Sequence, residues 1–248
     1  MLALITPDWP APPWIKAATT TRRGGFSDPP FDSLNLSLTV GDNPDSVIQN
    51  QKLLKSSLGL PKNPLWLKQV HGNKAVSANS ALIDLVADAT YSQESHVVCA
   101  VQTADCLPLL VCSRTRYCIA AIHAGWKGLA SGIIENSIKS LDCSADDLLV
   151  WLGPAIGPQA FVVGAEVVKA FIEKDHEAKA AFRQIGNNHW QANLYQLAKR
   201  RLAILGVKAI YGGNYCTYTD KDQFFSFRRD KVTGRMASLI WISPSSCI

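Results

Sequence analysis

The sequence predicts a single-domain α+β fold with mixed β-sheets. Of its 248 residues, 47% are hydrophobic and 18% are charged, a composition typical of globular proteins and compatible with one large domain. Short apolar runs and amphipathic segments follow one another without the strict strand–helix–strand repetition of a parallel α/β fold. Since no linker-like segment interrupts the chain, we expect residues 1–248 to form one domain.

The first predicted elements are a strand, a long loop and a helix. Residues 15–21 (IKAATTT) are rich in β-branched side chains, which favour a strand. A loop dominated by Gly, Pro, Asp and Asn begins at residue 22, and long loops in compact domains are often functional. Residues 44–59 then predict a helix, because Pro44 suits its first turn and Gly59 its end.

Residues 64–123 predict a series of short strands, because apolar runs repeatedly end at turn residues. These runs are PLWLKQVHG, VADATYS, HVVCAVQTAD, LPLLVCS and YCIAAIHAG. Helical spacing of apolar residues follows at 127–141, and LLVWLGPAIG predicts another buried strand. The last predictions are two amphipathic helices, AEVVKAFIEKD and LYQLAKRRLAILG, and three closing strands, VKAIYGG, FFSFRR and MASLIWIS.

Charge and cysteine content argue against several classes of protein. The net charge is +5, but the basic residues are scattered and do not form the patch of a nucleic-acid-binding protein. No apolar run approaches the roughly 18 residues of a membrane span, and the N-terminus lacks the pattern of a signal peptide. With seven cysteines and no CxxC pair, we expect a cytoplasmic protein with reduced thiols.

Three of the predicted strands end in side chains that bind metals or act as nucleophiles. They are His71 in QVHG, Cys106 in TADC and His123 in HAGW. Two imidazoles and one thiolate match a catalytic zinc site, which uses three protein ligands and keeps one position open. The spacing is not a local zinc motif, so a Cys106–His pair for nucleophilic catalysis and a purely structural cysteine stay open as alternatives.

Further polar residues are candidates for supporting roles. Asp105 is expected to orient a ligating imidazole or to act as a general acid and base, and the alternative is a capped turn. Arg22 and Arg228 are candidate phosphate-binding residues, because a guanidinium matches phosphate bidentately, although most arginines are simply solvated. Cysteines within apolar strands are expected in the core: Cys99, Cys112 and Cys118.

Seven segments, in order and over nearly the whole chain, resemble the YfiH (laccase-domain) family. They are TTRRGGFS, SLNLSLTVGDNP, WLKQVHG, TADCLPLL, HAGWKGLASG, LGPAIGP and CTYTDKDQFFSFRRDKVTGRMA. The resemblance implies a layered α/β/β/α arrangement of mixed sheets. It also implies that His71, Cys106 and His123 bind a zinc ion at the active site.

The same resemblance implies an activity on small-molecule purine nucleosides. Members of the family phosphorolyse adenosine, inosine and methylthioadenosine and deaminate adenosine, so nucleosides and phosphate are the expected partners. Older descriptions imply a copper-dependent polyphenol oxidase, and another implies a cysteine hydrolase that edits peptidoglycan precursors. We carry both as alternatives, together with a non-enzymatic binding module. Copper is an alternative metal at Cys/His ligands, and a monomer or weak dimer is expected.

Overall fold

The strands of the protein form two large sheets and one small one. A computed structural model describes residues 2–79 and 85–243. The strands are β1 (Leu4–Ile5), β2 (Ile15–Thr20), β3 (Ala75–Ser77), β4 (Ala89–Ser92), β5 (Val98–Thr103), β6 (Leu107–Ser113), β7 (Ile119–Ala124), β8 (Leu148–Leu152), β9 (Val162–Val163), β10 (Phe182–Gly186), β11 (His189–Ala192), β12 (Ala209–Gly212) and β13 (Met236–Ile242). The helices are α1 (Pro44–Leu58), α2 (Trp126–Ser131), α3 (Ile133–Leu141), α4 (Ala165–Ile172), α5 (Leu194–Ile204) and α6 (Phe227–Asp230).

The sheets are mixed, as the sequence predicts. One has four strands in the order β1-β2-β13-β5, all antiparallel. The other has six strands in the order β12-β8-β6-β7-β4-β3, with a parallel pair at each edge and antiparallel pairs between them. Strands β10, β11 and β9 form the small sheet.

The core is organised in four layers. Buried residues of both large sheets, among them Val101 and Leu110, pack together between the sheets. Helix α1 covers the outer face of the four-stranded sheet, with Leu54 in that cluster. Helices α3, α4 and α5 cover the outer face of the six-stranded sheet, with Ile134 and Phe171 fully buried there. The expected α/β/β/α arrangement is therefore confirmed.

Two predicted strands are wrong. PLWLKQV at 64–70 runs without regular pairing, because its backbone bonds go to two different neighbours and build no ladder: Lys68 bridges to Val86, and Leu65 donates to the backbone oxygen of Val98 in β5. FFSFRR at 224–229 is irregular up to Ser226, the N-cap of α6, and then enters that helix. Phe224 and Phe225 are buried by tertiary packing, which mimics the composition of a strand.

The predicted helix at 127–141 is broken in two. Gly132 adopts a left-handed φ of 100°, which ends α2 and begins α3. The hairpin of β10 and β11 was not expected, because its strands are mostly exposed and lack an apolar run. Within the part of the chain that the structure describes, no helix is long and apolar enough to cross a membrane.

The prediction that the strand cysteines are core residues is confirmed. Cys99, Cys112 and Cys118 are fully buried, whereas Cys106 is partly accessible. Cys247 lies outside the described residues.

Candidate metal centre and substrate cavity

The structure brings His71, Cys106 and His123 together at one end of the six-stranded sheet. The antiparallel register pairs His123 with Pro108, so Cys106, two residues before Pro108, lies diagonally across from His123 on the same face. The segment before β3 carries His71 to the same place. One ligand atom from each of the three residues lies within 4.8 Å of the others.

The spacing of these donor atoms fits a tetrahedral metal ion. The Sγ atom of Cys106 lies 3.7 Å from Nε2 of His71. Ordinary zinc–sulfur and zinc–nitrogen bond lengths at a tetrahedral angle require a separation of about 3.6 Å. His123 is buried, Cys106 is half-buried and His71 is exposed, so the cluster opens on one side. The residues present therefore fit a three-ligand site with an accessible fourth position.

Asp88 holds both histidines in place. This fully buried carboxylate precedes β4 and accepts a 2.8 Å hydrogen bond from Nδ1 of His123. It also accepts backbone N–H bonds from Val70, His71 and Gly72, at 3.2, 2.9 and 2.7 Å. Burial raises the pKa of Asp88, but the bonds from His123 and Gly72 outweigh it and leave the pKa lowered.

This arrangement fixes the tautomer of His123. With Nδ1 donating to Asp88, Nε2 is left to act as a ligand, which is a common way for proteins to orient metal-binding imidazoles. The three backbone bonds hold His71 in a left-handed conformation with φ of 60°. The sequence analysis missed Asp88, although it lies in the predicted strand VADATYS, directly before the first residue of β4.

Two glycines of the HAGWKG segment make room for the His71 loop. A Cβ atom on Gly125 would lie 2.9 Å from Cδ2 of His71 and 3.0 Å from Sγ of Cys106. A Cβ atom on Gly128 would lie 2.6 Å from the carbonyl oxygen of Gly72. These three distances leave no room for a side chain, so helix α2 approaches the cluster only because both positions are glycine.

Asp105 does not have the orienting role that the sequence suggested. Its φ is 88°, in the turn that carries the chain from the four-stranded to the six-stranded sheet. One carboxylate oxygen accepts a 2.6 Å bond from the hydroxyl of Thr217 and the other a 2.6 Å bond from the backbone N–H of Arg228. Asp88 orients the imidazole instead, and acid–base catalysis by Asp105 stays a prediction.

The electrostatics of the cluster favour a thiolate. Burial would raise the pKa of Cys106, but the charges and hydrogen bonds of His123 and His71 outweigh it and lower the pKa to about 6. Burial would lower the pKa of His123, but Cys106 and Asp88 raise it to about 9. At neutral pH the metal-free site therefore holds an anionic sulfur beside a cationic imidazole, and the thiolate is the form that binds metals.

We expect Cys106 to be the described thiol that alkylates fastest in chelator-treated protein. A pKa lowered to about 6 means that the thiolate forms as pH rises through 6, so the iodoacetamide rate should rise there and level off by pH 7 to 8. Cys99 should stay unmodified in the folded protein, because burial raises its pKa to about 12. Peptide mapping by mass spectrometry at each pH measures these rates.

Two controls make the labelling experiment decisive. The Cys106→Ala variant should lose the labelling phase that appears near pH 6, and added zinc should suppress that phase in the wild type. A Cys106 rate that rises only above pH 8, as for an ordinary thiol, would contradict the assigned electrostatics.

The cluster opens into a cavity of about 770 Å³ with a largely apolar wall. This volume lies within the range of small-molecule sites. Four aromatic residues line it: Trp66, Trp126, Phe161 and Phe227. Asp105 and Arg228 also line it, together with Arg235 and Lys68, which the sequence analysis did not single out. Arg235 lies in DKVTGRMA, a segment that contributes to the family resemblance, but the resemblance implies no role for this arginine.

Arg22 lies elsewhere. It lines a separate cavity of about 490 Å³ that does not contain the histidine–cysteine cluster. Its guanidinium donates to the backbone oxygen and the carboxylate of Asp32 and to the backbone oxygen of Lys221, and it stacks on Phe225. These bonds tie the loop at residue 22 to the segment before α6, which is a structural function.

Comparisons with known proteins agree on one family. Residues 16–243 match the family model described as multi-copper polyphenol oxidoreductase laccase. A protein named purine nucleoside phosphorylase YfiH from Shigella flexneri is 51% identical over 243 residues, covering 98% of this chain and 100% of that protein. The protein of the same name from Escherichia coli is 50% identical, with the same coverage.

Solved structures show the same fold. The crystal structure of Neisseria meningitidis protein NMB0706 matches with a TM-score of 0.94 and 45% sequence identity, over 97% of this chain and 99% of that one. The crystal structure of Bacillus licheniformis YfiH matches with a TM-score of 0.87 and 28% identity, over 92% of each chain.

Proposed function

The chain belongs to the YfiH family, whose family model is described as multi-copper polyphenol oxidoreductase laccase. From this membership we propose that the protein is a zinc-dependent purine nucleoside phosphorylase. The proposal is carried by one observation: the His71, Cys106 and His123 donors meet at the wall of a nucleoside-sized cavity. The name of its relatives, purine nucleoside phosphorylase, supports this reading. The proposed substrates are adenosine, inosine and methylthioadenosine.

In phosphorolysis a phosphate oxygen attacks the anomeric carbon of the ribose. The C1′–N9 bond breaks, its electron pair leaves with the purine, and a proton neutralises the base. The products are ribose 1-phosphate, or its methylthio analogue, and the free purine. The site must therefore hold a flat base, an anion and a proton donor close together.

The cavity offers these parts. Its aromatic wall, which includes Trp66 and Phe161, suits the face of a purine. The guanidinium of Arg228 is 5.4 Å from the ring centre of Phe161 and provides positive charge. Asp105 is the proposed site of proton transfer, because each of its oxygens accepts one bond and retains a second lone pair.

A metal ion held by His71, Cys106 and His123 would supply Lewis-acid chemistry and acidify a coordinated water. We propose that this site also deaminates adenosine to inosine, with Asp105 moving the proton. The protein's contribution is to fix the donors: Asp88 orients His123, and the backbone bonds to Asp88 orient His71. This arrangement of donors, with its accessible fourth position, is compatible with both phosphorolysis and deamination.

Two alternatives remain as outcomes of the test. A copper-dependent polyphenol oxidase is supported by the family description and by the affinity of nitrogen and sulfur donors for copper. In the described residues, however, only one such cluster of potential ligands is found, which fits a single ion. A cysteine hydrolase acting on peptidoglycan precursors is supported by the lowered pKa of the Cys106 thiol beside His123.

We expect zinc-loaded protein to convert adenosine to inosine without phosphate, and to yield adenine and ribose 1-phosphate when phosphate is added. Liquid chromatography of timed incubations measures both products, and metal analysis of protein purified without added metal identifies the native ion. Absence of turnover with adenosine, inosine and methylthioadenosine would refute the proposal. Activity that survives chelation favours the hydrolase, and polyphenol turnover at trace copper favours the oxidase.

A further inference from the structure

Arg235 is a partly buried cation without an acidic partner. It lies directly before β13 and lines the cavity of the metal cluster. Among the described residues no carboxylate forms an ion pair with it, whereas several other arginines are paired: Arg22, Arg200, Arg201 and Arg229. Its guanidinium lies 5.9 Å from the ring centre of Phe227, and a cation held at a cavity wall without a paired carboxylate suits an anionic ligand.

The guanidinium of Arg235 is held in one orientation. Its Nη1 donates to the backbone oxygens of Thr233 and Gly234, at 2.8 and 3.0 Å. The backbone N–H of Arg235 donates to Oδ1 of buried Asn35 at 2.9 Å. Within the described chain, Nε and Nη2 have no hydrogen-bond partner. Two of its nitrogens are therefore left to bind a planar or tetrahedral oxyanion.

The cavity around Arg235 is positively charged. Lys68 and Arg228 line the same cavity, and Arg228 likewise has no ion-pair partner among the described residues. The acidic residue that lines it, Asp105, already accepts bonds from Thr217 and from the backbone of Arg228. Burial lowers the pKa of the Arg235 guanidinium, while the nearby charges of Cys106 and Asp105 oppose that shift.

We propose that Arg235 binds the phosphate that attacks the nucleoside, with Arg228 as the second positive group of that anion site. The inference rests on the proposed phosphorolysis and assigns its co-substrate to a residue. Arg235 is assigned the larger share of the binding, because two backbone carbonyls fix its guanidinium and only one fixes that of Arg228. Arg228 is anchored to the carbonyl of Val162 and is directed toward Phe161.

Steady-state kinetics of Arg235→Gln and Arg235→Lys test the assignment. In Arg235→Gln the KM for phosphate should rise about 10- to 100-fold, because charge-assisted hydrogen bonds are lost. Because phosphate takes no part in deamination, the KM for the nucleoside and the rate of phosphate-independent deamination should change by a much smaller factor than the KM for phosphate. Arg235→Lys should recover part of the phosphate affinity, since lysine keeps the charge but lacks the fork. Arg183→Gln, on the exposed strand β10, is the matched control and should leave the phosphate KM unchanged.

Every outcome bears on the assignment. If wild-type protein phosphorolyses nucleosides and both Arg235 variants keep the wild-type KM for phosphate, the assignment is wrong. If wild-type protein shows no phosphorolysis, the proposed function fails, and calorimetric titration of the zinc-loaded protein with inorganic phosphate then tests Arg235 by itself. Weaker phosphate binding by Arg235→Lys than by the wild type supports the assignment, and equal phosphate binding overturns it. Thermal melts identify a variant that has not folded. If Arg235→Gln does not fold, the phosphate KM or phosphate affinity of Arg235→Lys decides whether the assignment holds.

Discussion

Cys106→Ala is expected to lose its metal ion and at least about 1,000-fold in kcat/KM for both phosphorolysis and deamination. A metal ion acting as a Lewis acid contributes several kcal/mol to the transition state, and each 1.36 kcal/mol is a tenfold factor in rate. The substitution removes the only sulfur of the His71, Cys106 and His123 cluster and leaves two imidazoles, which hold zinc weakly. Metal analysis after gel filtration and the two product assays measure the effect.

The fold should survive this substitution. Cys106 lies in a turn and is partly accessible, so removing its sulfur leaves no large cavity in the core. Cys143→Ala provides the matched control, because Cys143 is also a half-buried free thiol but lies after α3, outside the cluster. It should retain one metal ion and wild-type rates. Full turnover by Cys106→Ala would refute a metal-centred reaction, whereas lost turnover with retained zinc would favour Cys106 as a nucleophile.

The candidate site residues whose proximity follows from the sequence are those at the ends of regular strands. His123 is at the end of β7 and Cys106 directly before β6, and an antiparallel register of two buried strands makes neighbours of these positions. The continuous apolar runs LPLLVCS and YCIAAI predict both strands, and the residues of these runs within β6 and β7 are all buried. The proximity of Cys106, before the start of β6, and His123, near the end of β7, therefore follows from apolar runs that can be recognised in the sequence.

The parts that sequence reasoning misses depend on irregular backbone. The segment before His71 has the composition of a strand but forms only one β-bridge. Its end is held by Asp88, whose carboxylate accepts hydrogen bonds from three consecutive backbone N–H groups. Adjacency in sequence suggested Asp105 as the orienting acid, yet its positive φ turns the carboxylate toward Thr217. Arg235 reaches the cavity through a loop that packs on the buried side chain of Asn35. Such contacts between distant loops leave no periodic signal.

Asp88→Asn is expected to weaken zinc binding about 10- to 100-fold and to lower both activities by a similar factor, which is the usual effect of losing a group that orients a metal ligand. Asparagine keeps the shape of the side chain but removes the charge that favours the Nδ1–H tautomer of His123. Its amide nitrogen cannot accept the backbone N–H bonds that one carboxylate oxygen of Asp88 receives from Val70 and Gly72. Competition with a chromogenic zinc chelator measures the affinity.

A purely structural role of Asp88 would predict a different result, because stability would fall while the zinc affinity of the folded fraction stayed constant. Asp147→Asn is the matched control: Asp147 accepts bonds from the hydroxyls of Ser113 and Thr115 at the opposite end of β6. It should lower the melting temperature without changing zinc affinity. If zinc added in excess restores the activity of Asp88→Asn but not that of Cys106→Ala, then Asp88 acts on the reaction through the geometry of His71 and His123 and not by contact with the substrate.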